Sequence, residues 1–570
     1  MNTPQEAAAD AVKAGCNLTC GGEYNSLVRA VQQKLLTEKD VDQALYYTLW
    51  TRFKLGLFDP SDTNPYSKIG LDQNDTAESR ALALKVAEES IVLLKNNGTL
   101  PLDRSKIKRI AVIGPNANAT DVLHGNYNGT ASRPVTVLNG IRELAGTNVE
   151  VTYAQGSPIT TETGRGFGFG GRGGGGFGGP LTADQTTQLN NATAAAQTNF
   201  TDLQDKLTAA QTDVIAAALA KSDDNTVRAK LEAVAKIQTD IAVLRFTKGV
   251  HAVAATITAD QKTSMNTTPA PAYDAFFVAA APLGGGGRGG FGGRGAAPTR
   301  PPAELQAEAI SNAVNADVVI YVGGINPSQE GEQHDRDSIE LPQVQEGLVQ
   351  ALYKTGKPMV MVNCSGSDVA FPWEAEHLPA ILQAWYPGES GGRAVGEILF
   401  GDVNPSGRLP MTFYRATTNL PAFTNYSMAD RTYRYFNGTP LYAFGHGLSY
   451  TEFDFSSGKL DSKIAADGTA KVTFTLKNTG KLDGDEVAQV YFRHVNSAVP
   501  QPKLALCGFT RVHLKQGESS EVTVEVPAER LRYWDTEKKQ YVVEPGNYEF
   551  LVGAASDDIR LKLPMTIAAR

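Results

Sequence analysis

Apolar residues recur at helical spacing through the first sixty or so positions: Leu27, Val31 and Leu35, then Val41, Leu45, Leu49 and Phe53. Intervals of four put each set on one face and predict two amphipathic helices. Thr37, with Asp40 three residues on, is an N-cap signal for the second, and Asp59-Pro60 closes it. Two helices and little else cannot make an enzyme domain, so this segment reads as the end of something larger. Pro60 to about Asp75 is linker-like. Ala77 to Lys95 predicts an amphipathic helix running into Ile91-Val92-Leu93-Leu94-Lys95-Asn96. A strand is predicted from Ile107 to Gly114, a helix from Val137 to Leu144 and a strand from Val149 to Ala154.

The regular pattern then breaks. Gly164 to Gly179 and Gly284 to Gly295 are almost all Gly, Phe and Arg. Such stretches lose too much entropy on ordering and bury too little to pack, so they read as linkers. An Arg/Gly/Phe-rich stretch can also touch RNA, but two short copies flanking one insert favour the linker reading. Between them, Leu189, Ala192, Ala196, Phe200, Leu203 and Leu207 mark one apolar stripe. Val227, Leu231, Val234, Ile237, Ile241 and Leu244 mark another, with a turn at Ser222–Asn225. The insert is an alanine-rich helical hairpin. It carries Leu181-Thr182-Ala183-Asp184-Gln185 and Ile257-Thr258-Ala259-Asp260-Gln261. The doubled motif resembles the LTxxQ repeat of the small periplasmic CpxP/Spy chaperones; a plain spacer and a client-binding module both fit.

Strand-like runs return at Val318–Val322, Pro358–Val362 and Ala380–Trp385, separated by helical patterns at Val344–Lys354 and Gly392–Phe400. That alternation predicts parallel βαβ units with helices on both faces. From Phe453 the period changes to two. Lys471–Leu476, Glu486–Phe492, Glu521–Val526 and Asn547–Val552 alternate, with turns at Asn478-Thr479-Gly480 and Glu544-Pro545-Gly546. This predicts a small antiparallel β-sandwich.

A chain of 570 residues is too long for one core and implies about three or four domains. The formal net charge of −8 argues against a nucleic-acid surface. No apolar run reaches the ~18 residues of a membrane span, so no membrane insertion is expected. Residues 1–15 lack the basic start and apolar core of a signal peptide. Cys16 and Cys20 are close enough to pair or stay free, and without nearby histidines they do not suggest a metal site. No cofactor is expected.

The densest chemistry lies in Gln329-Glu330-Gly331-Glu332-Gln333-His334-Asp335-Arg336, directly after the apolar run 316–322 and Gly323-Gly324. Loops at the carboxyl ends of strands in open α/β sheets are where function usually sits. Two glutamates one residue apart, with an Asp-Arg pair behind, can set a proton donor; the bland alternative is a solvated acidic loop.

Several segments together resemble glycoside hydrolase family 3, the β-glucosidases and β-xylosidases. Ala14-Gly15-Cys16-Asn17-Leu18-Thr19-Cys20-Gly21 is similar to that family's AGxDLxCG element, with Asn17 in place of its Asp. Arg52–Pro60 looks like the exit from its barrel, and Glu89–Asn96 with Leu100-Pro101-Leu102 like the opening of its second domain. Trp385-Tyr386-Pro387-Gly388, Gly401–Pro410, Arg431–Phe436 and Phe444–Thr451 are long, ordered matches. The resemblance covers nearly everything outside roughly 156–300. It implies a fold of α/β plus all-β class. Residues 1–60 would be the remnant of the C-terminal end of a (β/α)8 barrel. Residues 61–155 and 301–425 would be an α/β sandwich, interrupted at 156–300 by Gly-rich linkers flanking the LTxxQ-like hairpin. Residues 426–452 would connect to a fibronectin type III-like domain at 453–570.

The resemblance also implies exo-acting, retaining hydrolysis of xylan-type oligosaccharides, with Glu332 as acid/base and Glu330 as the fallback. Asp335 and Arg336 would pair to orient the loop; Gln333 stands where the family has glycine. An acid working near neutral pH needs an enclosed site. The family's nucleophile is an aspartate late in the barrel. Only Met1–Lys13 precede the AGxDLxCG-like element, whereas a full barrel takes about 250 residues. Asp10 sits in a helical setting and is not a candidate, so no nucleophile is identifiable. Activity of this chain alone is not expected, and a barrel-bearing polypeptide is a candidate partner. The Glu-x-Glu-x-x-Asp-Arg loop and Gly125-Asn126-Tyr127-Asn128-Gly129 favour a β-1,4-xylosidase. A periplasmic or secreted location is implied. The competing expectation is a non-catalytic carbohydrate- or protein-binding, chaperone-like protein that uses the hairpin.

Overall fold

In the computed structural model the described residues are 3–160, 301–332, 336–461 and 463–568, with helix 224–245 and isolated positions between 199 and 223. Both Gly-rich segments, both Thr-Ala-Asp-Gln motifs, most of the first apolar stripe and Asp335 lie outside them. The chain divides into two compact units, Met1–Glu162 with Arg300–Arg570, and Thr163–Thr299.

The centre of the first unit is a six-stranded sheet. Its strands are β1 (Val92–Asn96), β2 (Arg109–Ile113), β3 (Glu150–Ala154), β4 (Val318–Gly324), β5 (Met359–Cys364) and β6 (Ala380–Gln383). Their spatial order is β1-β6-β5-β4-β2-β3; all pairings are parallel except that of β1 with β6. The predicted helix from Ala77 to Lys95 stops at Ser90, and its apolar tail is the antiparallel edge strand β1. Four consecutive apolar residues carry no period that separates helix from strand; here pairing with β6 decides.

The strands read as continuous apolar runs because both sheet faces are covered. Ile110, Val112, Ile320, Val322, Val360 and Val362 pack under helices Ala77–Ser90, Val137–Ala145 and Gly391–Phe400. The alternate residues Ala111, Ile113, Val319, Tyr321, Met359 and Met361 pack under Pro302–Val314 and Gln343–Tyr353. Each fully buried Val, Ile or Met contributes about 1.5–3 kcal/mol relative to exposure. Helices Val137–Ala145 and Gly391–Phe400 cross in backbone contact: a Cβ on Gly392 would stand 2.0 Å from the Thr136 carbonyl oxygen.

Residues 453–568 form the antiparallel sandwich. Phe453–Lys459, Thr469–Asn478 and Ser519–Pro527 make one sheet; Ala505–Leu514, Gly484–Val495, Gly546–Ala555 and Asp558–Ala568 make the other, with short Lys463–Ala465 at its edge. The period-two runs place Val472, Phe474, Val522 and Val524 inward against Val490, Phe550 and Val552. The sandwich is tied to the sheet through the connecting segment. Leu448 donates its N–H to the Leu93 carbonyl at 2.8 Å, and Arg408 pairs with Glu486 at 2.9 Å, the side chains 8% and 5% exposed.

At the start of the unit, helices Pro4–Lys13, Leu27–Gln32 and Glu38–Lys54 enclose a small core of Ala9, Val12, Ala30, Leu36 and Ala44. Thr37 and Asp40 form a capping box. Cys16 and Cys20 are free. In the second unit, helix Asp224–Arg245 is capped by Asp223, whose carboxylate accepts from the N–H groups of Asn225 and Thr226 at 3.0 and 3.1 Å.

Candidate active site

The chain steps from β2 outward to β3, then back across β2 to β4. The order of the sheet therefore reverses between β2 and β4, and ligands of open α/β sheets bind at such switch points, beyond the carboxyl ends of the strands. The acidic loop leaves from the end of β4 at this place. Gly324 makes the exit possible: its φ is +107°, and a Cβ there would meet the Cys364 carbonyl oxygen at 2.2 Å.

Buried polar side chains fix the strand ends. Gln345 Oε1 accepts from Tyr321 Oη–H and Gly324 N–H, both at 2.9 Å, while its amide donates to the Gly324 carbonyl at 2.7 Å and the Ile159 carbonyl at 2.6 Å. Asn363 donates to Gln383 Oε1 at 2.6 Å, and Gln383 donates to Ser365 Oγ at 2.9 Å. Ser365 Oγ–H in turn donates to the Ser367 carbonyl at 2.7 Å. On the other side of the switch, Asn116 donates to the carbonyls of Gly323 and Ile325, and Asn326 donates to Asp121. These chains of bonds tie the loops after β2, β4 and β5 together, although Asn116 Oδ1 and Asn363 Oδ1 have no partner among the described residues.

Glu330 sits at the meeting point. Its Oε1 accepts from the Gly366 N–H at 2.5 Å and from the Tyr386 hydroxyl, and its Oε2 accepts from the Ser367 hydroxyl. Gly366 and Ser367 follow β5; Tyr386 follows β6. Tyr386 is aimed there by Trp385, which takes a φ of +60°, rare for so large a residue, and donates its indole N–H to the Ser90 carbonyl at 3.1 Å. Burial, and then the bond to Glu330, push the Tyr386 hydroxyl pKa up, so it stays a donor. Arg336 closes the far end of the loop, donating to Ser367 Oγ at 2.9 Å and the Asp368 carbonyl at 2.7 Å. Burial also raises the Asp368 carboxyl pKa.

Glu332 stands two residues on, exposed in a turn, with no hydrogen bond to any described residue. Gly331 beside it lies against Asn126, so the Gly125–Gly129 loop and the Glu330–Glu332 loop meet at this rim. The two glutamates are thus brought to one place but differ in situation: both oxygens of Glu330 are engaged, and the carboxylate of Glu332 is open to solvent. Arg336 reaches the loop after β5, and Asp335 is outside the described residues. Nothing local in the sequence marks Asn116, Ser367 or Tyr386 as site residues, although Tyr386 lies within the Trp385-Tyr386-Pro387-Gly388 match. Among the described residues no group of three His, Cys, Asp or Glu could hold a metal ion.

The first unit thus joins a doubly covered α/β sheet, with an acidic loop at its switch point, to a β-sandwich, and comparison with known proteins specifies the family. The chain belongs to glycosyl hydrolase family 3: residues 91–450 match the family 3 C-terminal domain and residues 486–556 a fibronectin type III-like domain. It is similar to a xylan 1,4-β-xylosidase of Xylanibacter ruminicola, 34% identical over 590 residues, covering 97% of this chain and 65% of the relative. It is also similar to a periplasmic β-glucosidase of Salmonella typhimurium, 30% identical over 585 residues, covering 98% and 60%. Among solved structures, a β-glucosidase from Erythrobacter marinus superposes with a TM-score of 0.65 at 28% identity, covering 99% of this chain and 60% of that one. The chain therefore spans just under two thirds of the length of these relatives.

Proposed function

We propose that this chain supplies the acid/base half of a retaining, exo-acting β-glycosidase, with Glu332 as the proton donor and a barrel aspartate as the nucleophile. The observation that carries the reading is the division of labour between the two glutamates. Glu330 has both oxygens occupied by three donors and holds the loop; Glu332, two residues away, is free to reach a substrate. Retaining hydrolysis needs two carboxyl groups about 5–5.5 Å apart across the sugar. In the first step Glu332 protonates the glycosidic oxygen as the bond to C1 breaks and the nucleophile bonds to C1. In the second, the Glu332 carboxylate takes a proton from water as the water oxygen attacks C1 and expels the enzyme carboxylate.

In this reading residues 1–60 belong to the end of a (β/α)8 barrel. Their exposed apolar face supports it. Trp50, Phe53 and Leu57 are 47%, 64% and 62% exposed, with Tyr46, Tyr47, Leu55 and Phe58 around them. Large apolar side chains left this exposed along one short segment suit a contact surface for the rest of a barrel. The substrate is a β-xyloside: relatives are named β-xylosidases and β-glucosidases, and the Glu-x-Glu-x-x-Asp-Arg loop and Gly125–Gly129 favour the former. A periplasmic or secreted site of action agrees with the relative named as periplasmic.

The test is turnover of 4-nitrophenyl β-xyloside and β-glucoside by the 570-residue chain alone and after addition of a recombinant family 3 barrel. No turnover alone and turnover with the barrel, preferring the xyloside, is expected. Turnover by the chain alone would show that a nucleophile lies within it.

A further inference from the structure

Strands Tyr533–Asp535 and Gln540–Val542 form a two-stranded hairpin apart from both sheets of the sandwich. Its turn is fixed by Asp535, which accepts from the N–H groups of Glu537 and Lys538 at 3.0 and 2.9 Å and pairs with the Lys538 ammonium at 3.0 Å. Trp534 and Tyr541 are directly opposed in the register, so their rings stand on the same face. The ring centroids are 5.2 Å apart at 76°, and the residues are 51% and 59% exposed. The Arg532 guanidinium lies 4.4 Å over the Tyr541 ring.

A cross-strand aromatic pair by itself only stabilises a hairpin, by up to about 1 kcal/mol. Here Tyr541, of the pair, also lines a cleft of about 520 Å³ with Asp467, Glu529, Arg532 and Gln540, a volume in the roughly 300–1,000 Å³ range of small-ligand sites. The side chains of Asp467, Glu529 and Gln540 have no hydrogen-bond partner among the described residues. Unspent donors and acceptors beside flat, half-exposed rings suit a ligand with C–H faces and a rim of hydroxyls. Two acids against one guanidinium leave a single net negative charge, which favours a neutral ligand over an anionic one. We propose that this cleft and hairpin form a second sugar-binding site, on the β-sandwich, for a neutral β-1,4-linked oligosaccharide. A sugar ring would stack on Trp534, with Tyr541 and its Arg532 cover forming the adjoining wall, and hydroxyls would bond to Asp467, Glu529, Arg532 and Gln540. The choice of a β-1,4-linked chain rests on the glycosidase reading; the site itself does not.

The experiment is calorimetric titration of the full chain with xylohexaose, cellohexaose and oligogalacturonate, for wild type, Trp534→Ala/Tyr541→Ala, Asp467→Ala/Gln540→Ala and Glu332→Gln. All changed side chains except Glu332 belong to the β-sandwich and not to the acidic loop, and far-ultraviolet circular dichroism reports whether each variant folds. Either neutral hexasaccharide is expected to bind at millimolar concentration or better. Each double variant should weaken that binding about tenfold or more, the equivalent of ~1.4 kcal/mol, and Glu332→Gln should leave it unchanged. No binding of either neutral sugar, binding of oligogalacturonate alone, or binding that survives both double variants would overturn the inference. Loss of binding in Glu332→Gln with the aromatic variant unaffected would overturn it too, while leaving the acid/base reading intact.

Discussion

Replacing Glu330 with alanine tests the claim that this glutamate clamps the loop and does not perform chemistry. The side chain accepts from Gly366 N–H, Ser367 Oγ–H and Tyr386 Oη–H, bonds that join the loops after β4, β5 and β6. Hydrogen bonds to a charged group are worth about 1.5–3 kcal/mol each, and the ordinary net value is nearer 1 kcal/mol. The site is only half-buried, so the lower figure applies, and three bonds give a local loss of about 3 kcal/mol. At roughly 1.4 kcal/mol per tenfold, the opening equilibrium of the loop should rise about a hundredfold. Hydrogen–deuterium exchange read by mass spectrometry, on peptides covering 326–332 and 365–371, measures this directly. The two segments should lose protection together in Glu330→Ala, while peptides of the β-sandwich keep theirs. Unchanged exchange in both segments would refute the clamp and with it the reason for preferring Glu332 as the acid.

Three other consequences follow from the packing. Glu374 is almost fully buried, its Oε1 has no partner, and burial raises its pKa from the ordinary 4.5 to about 7. The fold prefers the protonated form, so this contribution is full below pH ~4.5 and is lost as pH rises through about 7, worth about 3 kcal/mol at most. Glu374→Gln should therefore gain thermal stability over wild type at pH 8 and little at pH 4; an equal effect at both would contradict the assignment. Gly392→Ala would drive a methyl group into the Thr136 carbonyl, 2.0 Å away, so a loss of about 2 kcal/mol or more is expected in urea titration. Arg408→Met strands Glu486 in the seam between sheet and sandwich. The expected cost is about 3–5 kcal/mol, seen as early proteolytic release of the sandwich, and Arg408→Met/Glu486→Leu should recover most of it.

Much of the fold was legible because period and burial agree. The runs 318–322 and 358–362 are continuous and apolar where both faces of the sheet are covered, and 471–476 alternates where one face meets water. Thr37 and Asp40 announced their capping box. The edge strand Val92–Asn96 was misread because no glycine or proline separates it from the helix before it and it pairs with residues almost 290 positions away. Helix Pro302–Val314 went unread because its buried stripe, Leu305, Ala309 and Ala313, is mostly alanine. In the candidate site, the acidic loop stood out by its charge and its place after an apolar strand. The different settings of its two glutamates did not, because what separates them is Gly366, Ser367 and Tyr386, between 36 and 56 residues away in the chain. Local pattern carries no trace of such a clamp; only the order β6-β5-β4 brings its parts together.

The central claim is that Glu332 moves the proton. It is tested most directly by azide rescue in the barrel-complemented enzyme. Removing an acid/base slows glycosides with poor leaving groups by about 10²–10⁴-fold, but a good leaving group such as 2,4-dinitrophenolate departs without help. Azide can then attack the glycosyl-enzyme without needing a base. Glu332→Ala should lose turnover of xylobiose, keep a rapid burst with 2,4-dinitrophenyl β-xyloside, and be accelerated by azide to give β-xylosyl azide; Glu330→Ala should show no azide rescue. Rescue of Glu330→Ala in place of Glu332→Ala, or full xylobiose turnover by Glu332→Ala, would contradict the account.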